Sequence, residues 1–206
     1  MIRKGAAADL PGIGRALAAA FETDPVTAWY WRRRTHRREH LSAWFSLIAR
    51  MHFLPHGQVF VADDGDGIAG CAMWAGPGAW RFSMRAELRL AREVVPRLGL
   101  RLPLATVAMR RMESRHPEEP HWYLSTLGVD PEHQGQGLGS RLMFEILERC
   151  DREALPAYLE SSTEDSKALY ERHGFETRET IHLPLGGPPL WLMWRDPKST
   201  EAARAS

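Results

Sequence analysis

His121-Trp-Tyr-Leu-Ser-Thr-Leu-Gly-Val129 runs directly into Asp130-Pro-Glu-His-Gln-Gly-Gln-Gly-Leu-Gly139. From Trp122 to Val129 aromatic and β-branched residues predominate, which predicts a buried strand. The second half carries Gly135, Gly137 and Gly139 at alternate positions, and an amphipathic helix follows at once. Glycine tolerates positive φ and lets a ligand approach the backbone. Free N–H groups at a helix start carry partial positive charge and suit a phosphate. Strand, glycine turn and helix together predict a cradle for a phosphorylated cofactor. Two common cradles are excluded. A nucleoside-triphosphate loop ends in Gly-Lys-Ser/Thr, whereas Ser140 and Arg141 follow Gly139. A dinucleotide turn needs G-x-G-x-x-G, whereas the gaps here are single residues. The pattern present is Q-x-x-G-x-G, from Gln134 to Gly139.

Downstream, Leu142, Met143, Ile146, Leu147 and Cys150 share one side of the helix that follows the glycines. Pro156 to Glu160 reads as a short buried strand with Leu159 in the core. Ser161 to Glu164 and Ser162 to Asp165 are overlapping capping-box patterns, predicting a helix through His173. Gly174 is the expected glycine after its end, with Phe175 packing back. Residues 175–183 and 190–195 complete the chain as two strands.

Upstream, residues 1–4 predict a short strand. A helix carrying Leu10, Ile13, Leu17, Ala20 and Phe21 follows, with Asp9 as its cap. Asp24-Pro25 starts another. Residues 26–54 hold Trp29, Tyr30, Trp31, Trp44 and Phe45 around Arg32, Arg33, Arg34, Arg37 and Arg38. That basic run reads as a solvated face or as a patch for anionic groups. Leu41, Trp44, Phe45, Ile48 and His52 fall on one helical face. Residues 58–62 and 68–75 form a hairpin whose turn is too short for a calcium loop. From about 82 to 115 an inserted helical pair is expected, interrupted between Pro96 and Pro103. Its apolar faces are Leu88, Ala91, Val94 and Val95, then Leu104, Val107, Ala108 and Met112. The alternation predicts an α/β fold, a mixed central sheet flanked by helices.

The 206 residues suit one domain, 1–197, with a flexible tail at 198–206. A formal net charge of +1 argues against a nucleic-acid or membrane-surface binder. No apolar run is long enough to span a bilayer, and no signal pattern is present, so a cytoplasmic protein is expected. Cys71 and Cys150 lie far apart in apolar segments and read as buried thiols. No histidine or cysteine pair has ligand spacing, so no metal site is expected.

The strand ending Leu127-Gly-Val129, the Gln134–Gly139 loop, and Tyr158-Leu-Glu-Ser161 with Ala168-Leu-Tyr-Glu-Arg-His-Gly-Phe175 together resemble the GNAT acyl-CoA N-acyltransferases. The resemblance covers about residues 1–196, with specific motifs between 121 and 180. Within the family, His121-Trp-Tyr-Leu124, His133-Gln-Gly135 and Gly137-Leu-Gly-Ser140 are similar to the puromycin N-acetyltransferase group. The resemblance implies the GNAT fold and an enzyme that moves the acetyl group of acetyl-CoA to a primary amine of a small molecule, antibiotic-like or amino-acid-like. It implies direct attack in a ternary complex, with no metal. Leu127, Gly128 and Val129 would pair with the pantetheine arm. Gln134, Gly135, Gln136, Gly137, Leu138, Gly139 and Ser140 would take the pyrophosphate. Tyr170 matches the tyrosine beside the thioester sulfur and is the expected general acid. Ser166 stands where the family often has Asn, which puts that contact to the cofactor in doubt.

A base must take a proton from the acceptor ammonium. His121 and Glu160 are the candidates, with Ser125 or Thr126 to hold a relay water. His133 and His173 read as surface or capping residues. Two other functions stay open: acetylation of a protein lysine or N-terminus, and a CoA-binding regulatory module without turnover. The acceptor and the oligomeric state, a homodimer included, are not legible in the sequence.

Overall fold

The computed structural model of the chain describes residues 1–32 and 35–198. Arg33 and Arg34 of the basic run, and the expected tail from residue 199 on, lie outside the described residues. Seven strands form one mixed sheet in the order β1-β2-β3-β4-β5-β7-β6. They are β1 (Ile2–Lys4), β2 (Val59–Asp63), β3 (Ile68–Ala75), β4 (Trp122–Val129), β5 (Ala157–Ser161), β6 (Glu176–His182) and β7 (Pro189–Arg195). Every neighbouring pair is antiparallel except β4 with β5.

The sheet is covered on both faces. Strand residues alternate between faces, so Phe60, Ala72, Trp74, Trp122, Leu124 and Leu159 share one core. Against it pack helices α6 (Leu138–Glu153) and α7 (Glu164–Arg172), through Leu142, Met143, Ile146, Leu147, Cys150 and Tyr170. Val59, Val61, Cys71 and Met73 face the other way, onto α1 (Leu10–Phe21) and α3 (Arg37–Ile48). Cys71 and Cys150 are therefore buried in different cores and are free thiols. Burial pushes the Cys150 thiol up to about 12, so it packs as an apolar residue.

Gly128 sets how closely α1 approaches the sheet. A Cβ there would stand 2.7 Å from Leu17 Cδ2, 2.9 Å from the Phe21 ring and 3.0 Å from Ala20 Cβ. Overpacking of this kind costs about 1–3 kcal/mol. Gly128→Ala is expected to lower urea-unfolding stability by that amount. An unchanged midpoint would show that α1 can yield freely.

Helix α2 (Pro25–Tyr30) starts as expected, with Asp24 Oδ1 accepting from Thr27 N–H at 2.8 Å. Arg37 is buried, not part of a solvated patch; its guanidinium donates to the Glu22, Trp31 and Arg32 carbonyls. Two expectations need correction. First, α7 is capped by Thr163, whose hydroxyl accepts from Ser166 N–H. Ser161 cannot cap because β5 extends through it.

The inserted pair is α4 (Met84–Leu98) and α5 (Leu102–Glu113), with its break at Gly99–Arg101, inside the expected interval. Pro96 lies near the end of α4 and has no N–H to give to the Arg92 carbonyl. Second, the face of α4 with Leu88 and Val95 is exposed, at 64% and 40%, and Ala86 and Leu90 are the buried positions among the described side chains of the helix. On α5, Ala105 and Ala108 are buried, while Val107 is 54% exposed. Lys198, where the tail was expected to begin, is anchored by its N–H to Asp151 Oδ1 at 2.8 Å.

Candidate active site

Strands β4 and β5 pair over only three positions, Trp122 with Ala157, Tyr123 with Tyr158 and Leu124 with Leu159. Beyond them the strands part. The register of β4 against β3 also shifts there: Met73 pairs with Thr126 and Trp74 with Leu124, so Ser125 is the extra residue of a bulge. A bulge bends its strand and raises the local twist, which carries β4 away from β5. The opening is a cleft of about 680 Å³, walled by the β4 edge from Leu124 to Val129, by Glu160 to Thr163, by the glycine loop and by α7. The Phe21–Asp24 corner between α1 and α2 closes another side. That volume is in the range of small-molecule sites.

The glycine loop is braced at its base. Asp130 Oδ1 accepts from Glu132 N–H at 3.1 Å, and Gln134 Nε2 donates to Val129 O at 3.0 Å. The Gln134 side chain thus turns back onto the strand end. Gly135 and Gly137 take φ of +76° and +73°, which other residues rarely adopt. No atom lies within 4 Å of where a Cβ at either would stand. Gly137 also caps α6 with no side-chain acceptor on its first N–H groups. Ser140 Oγ bonds His173 Nε2 at 2.8 Å, linking the start of α6 to the end of α7. Leu138, Gly139 and Ser140 line the cleft, while Gln136 is exposed and lies off its wall.

Tyr170 lines the cleft from α7 and is 7% exposed, its ring edge-on to Phe175 at 6.0 Å. Burial, and then the Asp24 carboxylate, hold its phenol well above the usual value. Ser166, one turn earlier, also lines the cleft. Its hydroxyl sits among Ser161 Oγ and Thr163 Oγ1, both at 2.7 Å, so it is already engaged at the helix start.

Glu160 is the penultimate residue of β5, with its side chain 8% exposed, and its Oε2 accepts from Tyr123 O–H at 2.8 Å. His121 does not reach the cleft. It is buried behind Glu160, against Tyr158 and Trp194, and burial pushes it below its usual value. Of the two candidate bases, only Glu160 faces the opening. Among the described residues no group of three His, Cys, Asp or Glu side chains is arranged to hold a metal. No helix among them is long and apolar enough to cross a membrane.

One wall residue was read only as a cap. Asp24 is 8% exposed, and its second oxygen accepts from Ser162 O–H, 138 positions away. The Asp24-Pro25 pattern announces the helix start but not that second bond. His116 is also absent from the sequence signals, since it follows α5 with no motif around it.

A seven-stranded mixed sheet that opens at its centre, above a glycine turn and an uncapped helix, is the architecture of an acetyltransferase. The chain belongs to the acetyltransferase (GNAT) family, whose model matches residues 23–175. It is 28% identical over 221 aligned positions to an uncharacterised N-acetyltransferase of Schizosaccharomyces pombe, covering 97% of this chain and 85% of that protein. A solved structure from Corynebacterium glutamicum, described as histone acetyltransferase HPA2 and related acetyltransferase, matches at TM-score 0.70 with 26% identity, over 96% of each chain. A Drosophila melanogaster polyamine N-acetyltransferase, which forms N-acetylagmatine, matches at TM-score 0.57 and 20% identity over 95% of this chain and 99% of its own. That last likeness is one of fold.

Proposed function

We propose that the chain transfers the acetyl group of acetyl-CoA to a primary amine of a small molecule, by direct attack in a ternary complex. The observation that carries this reading is the convergence of an open strand edge, an uncapped helix N-terminus and a buried tyrosine on one cleft. The cradle fits the donor: at Gly135 and Gly137 the backbone lies bare, with room where side chains would stand. Backbone N–H groups of Gly135 to Ser140 would hold the pyrophosphate. The unpaired edge of β4 at Leu127, Gly128 and Val129 would meet the amides of the pantetheine arm. Ser166 would support the wall rather than bond the donor.

Bound acetyl-CoA supplies the acyl group as a thioester. The chain itself has to move two protons and fix the geometry. Glu160 accepts a proton from the acceptor ammonium, directly or through a water held at Ser125. Tyr170 gives the proton at its Oη to the departing sulfur, and the second proton that leaves the acceptor nitrogen as the amide forms restores the phenol. Its raised value keeps that proton in place at neutral pH, and the same dry wall disfavours a free thiolate. His121 has no part at the cleft. The cleft volume lies in the range of small-molecule sites, which favours a compact acceptor.

The test is thiol release from acetyl-CoA with a panel of amines: polyamines, arylalkylamines, the aminonucleoside puromycin, and peptides with a free lysine or N-terminus. Turnover on one or more small amines is expected. Turnover on the peptides alone would overturn the small-molecule reading. Binding of acetyl-CoA without release on any amine would favour a regulatory module.

A further inference from the structure

We infer that His116 and His121 share three protons, and so carry one positive charge that holds Glu160 as a carboxylate on the cleft wall. Three contacts in series lead to this count. His121 Nδ1 lies 2.6 Å from Glu119 O. A carbonyl only accepts, so that nitrogen bears a proton. His121 Nε2 and His116 Nε2 are 3.1 Å apart, and one proton lies between them. His116 Nδ1 then faces Glu160 Oε1 at 3.8 Å, with the two side chains 3% and 8% exposed. A bare nitrogen there would set a lone pair against a buried carboxylate, a repulsive arrangement with no water to relieve it. The third proton belongs in that gap. Two imidazoles with three protons carry +1, wherever the middle proton sits.

The surroundings locate the charge. His121 is pushed below its usual value by burial and by the charge of His116. His116 is the ring that faces the Glu160 carboxylate, so it is the imidazolium and His121 the neutral ring. An imidazole is also more basic than a carboxyl group, by about 2 units, so the third proton rests on His116 Nδ1. Trp80 stacks on His116 at 3.8 Å between centroids, and the Tyr123 and Tyr158 rings stand edge-on at 4.8 and 4.9 Å. An electron-rich ring face suits a cation. The titratable and charged groups facing the pair are Glu160, Tyr123 and Tyr158, with Glu119 beyond His121 and Arg81 over the Trp80 ring. Burial holds both phenols well above their usual value, so they stay protonated, and Tyr123 donates to Glu160 Oε2.

The two histidines are positioning residues. They keep a buried carboxylate ionised, and so able to accept a proton, at the mouth of the cleft. The catalytic consequence rests on the role proposed for Glu160; the proton count does not. The insertion between β3 and β4 thereby contributes to the site, because His116 closes the segment after α5.

The experiment is NMR of the full chain with labelled histidine nitrogens and labelled Glu carboxyl carbons, assigned with His116→Gln and His121→Gln. Between pH 6 and 8 both His116 nitrogens are expected to be protonated, His121 to be protonated at one nitrogen, and Glu160 to be ionised. In His116→Gln the protonated fraction of Glu160 at a given pH is expected to rise about tenfold or more. The acid limb of kcat should rise with it, with acetyl-CoA affinity unchanged. A wild-type His116 with a bare Nδ1 at pH 7 would overturn the inference, as would a Glu160 titration that stays put in the variant. If the carboxyl moves and the acid limb does not, the charge assignment stands and Glu160 is not the base.

Discussion

Tyr170→Phe is expected to lower kcat by about 10²–10⁴-fold, the range for loss of a positioned general acid. Acetyl-CoA affinity should stay within about twofold, because only an interaction made at the reacting centre is removed. The reasoning is geometric. Tyr170 is 7% exposed and packs edge-on against Phe175. A phenylalanine keeps that contact and opens no cavity, so only the hydroxyl is lost. The measurement is steady-state kcat beside a dissociation constant from calorimetry. A kcat reduced by less than about threefold would remove Tyr170 from the acid role. The pH profile adds a second check. Burial and the Asp24 carboxylate hold the phenol above its usual value. The proton it gives is therefore retained up to and beyond about pH 10, and Tyr170 should cause no loss of activity between pH 8 and that point.

Gly137→Val is expected to weaken acetyl-CoA binding by about 100-fold or more, near 2.7 kcal/mol. Gly137 sits at φ +73°, where a β-branched residue is a true outlier and costs about 1–3 kcal/mol. The chain escapes that strain by shifting the loop, which rotates the first N–H groups of α6 away from the anion. If the loop holds instead, the valine side chain stands in the open space the phosphates need. Gly57→Val is the control, since Gly57 has φ +65° and open surroundings but lies away from the cleft. Similar loss of stability in both variants, with affinity lost only in the first, is the expected pattern. Equal affinities would mean that the loop does not bind the donor.

The central strand, the glycine turn and α6 were legible because each rests on local pattern. Trp122 to Val129 alternates between buried and half-buried, and Leu142 to Cys150 recurs at helical spacing. The errors fall where a local pattern had two solutions. On α4, Leu88 and Val95 make as good an apolar stripe as Ala86 and Leu90, and only the position of α3 decides which is buried. Ser161, Ser162 and Thr163 are all competent caps, and the length of β5 chooses Thr163.

The site divides in the same way. Tyr170 and Glu160 stand in short motifs and could be named in advance. His121 could be named too, but nothing local shows that it points behind Glu160 rather than into the cleft. Asp24 with Ser162, and His116 with Glu160, are pairs made only by the folded chain. In sequence Asp24 signals only an ordinary helix cap, and His116 is an isolated histidine.

The parting of β4 from β5 has one more consequence. A strand edge with free amides invites pairing with other chains, and most sheets carry that hazard at their rims. Here the unpaired stretch from Ser125 to Val129 lies mid-sheet, at the bottom of a slot between α1, α6 and α7. A slender linear chain of amides can slide into it edgewise. A second protein's strand, flanked by its own side chains and neighbours, cannot. The same recess that leaves this backbone unpaired therefore screens it from self-association, and the enzyme keeps a sticky edge without the aggregation that usually follows from one.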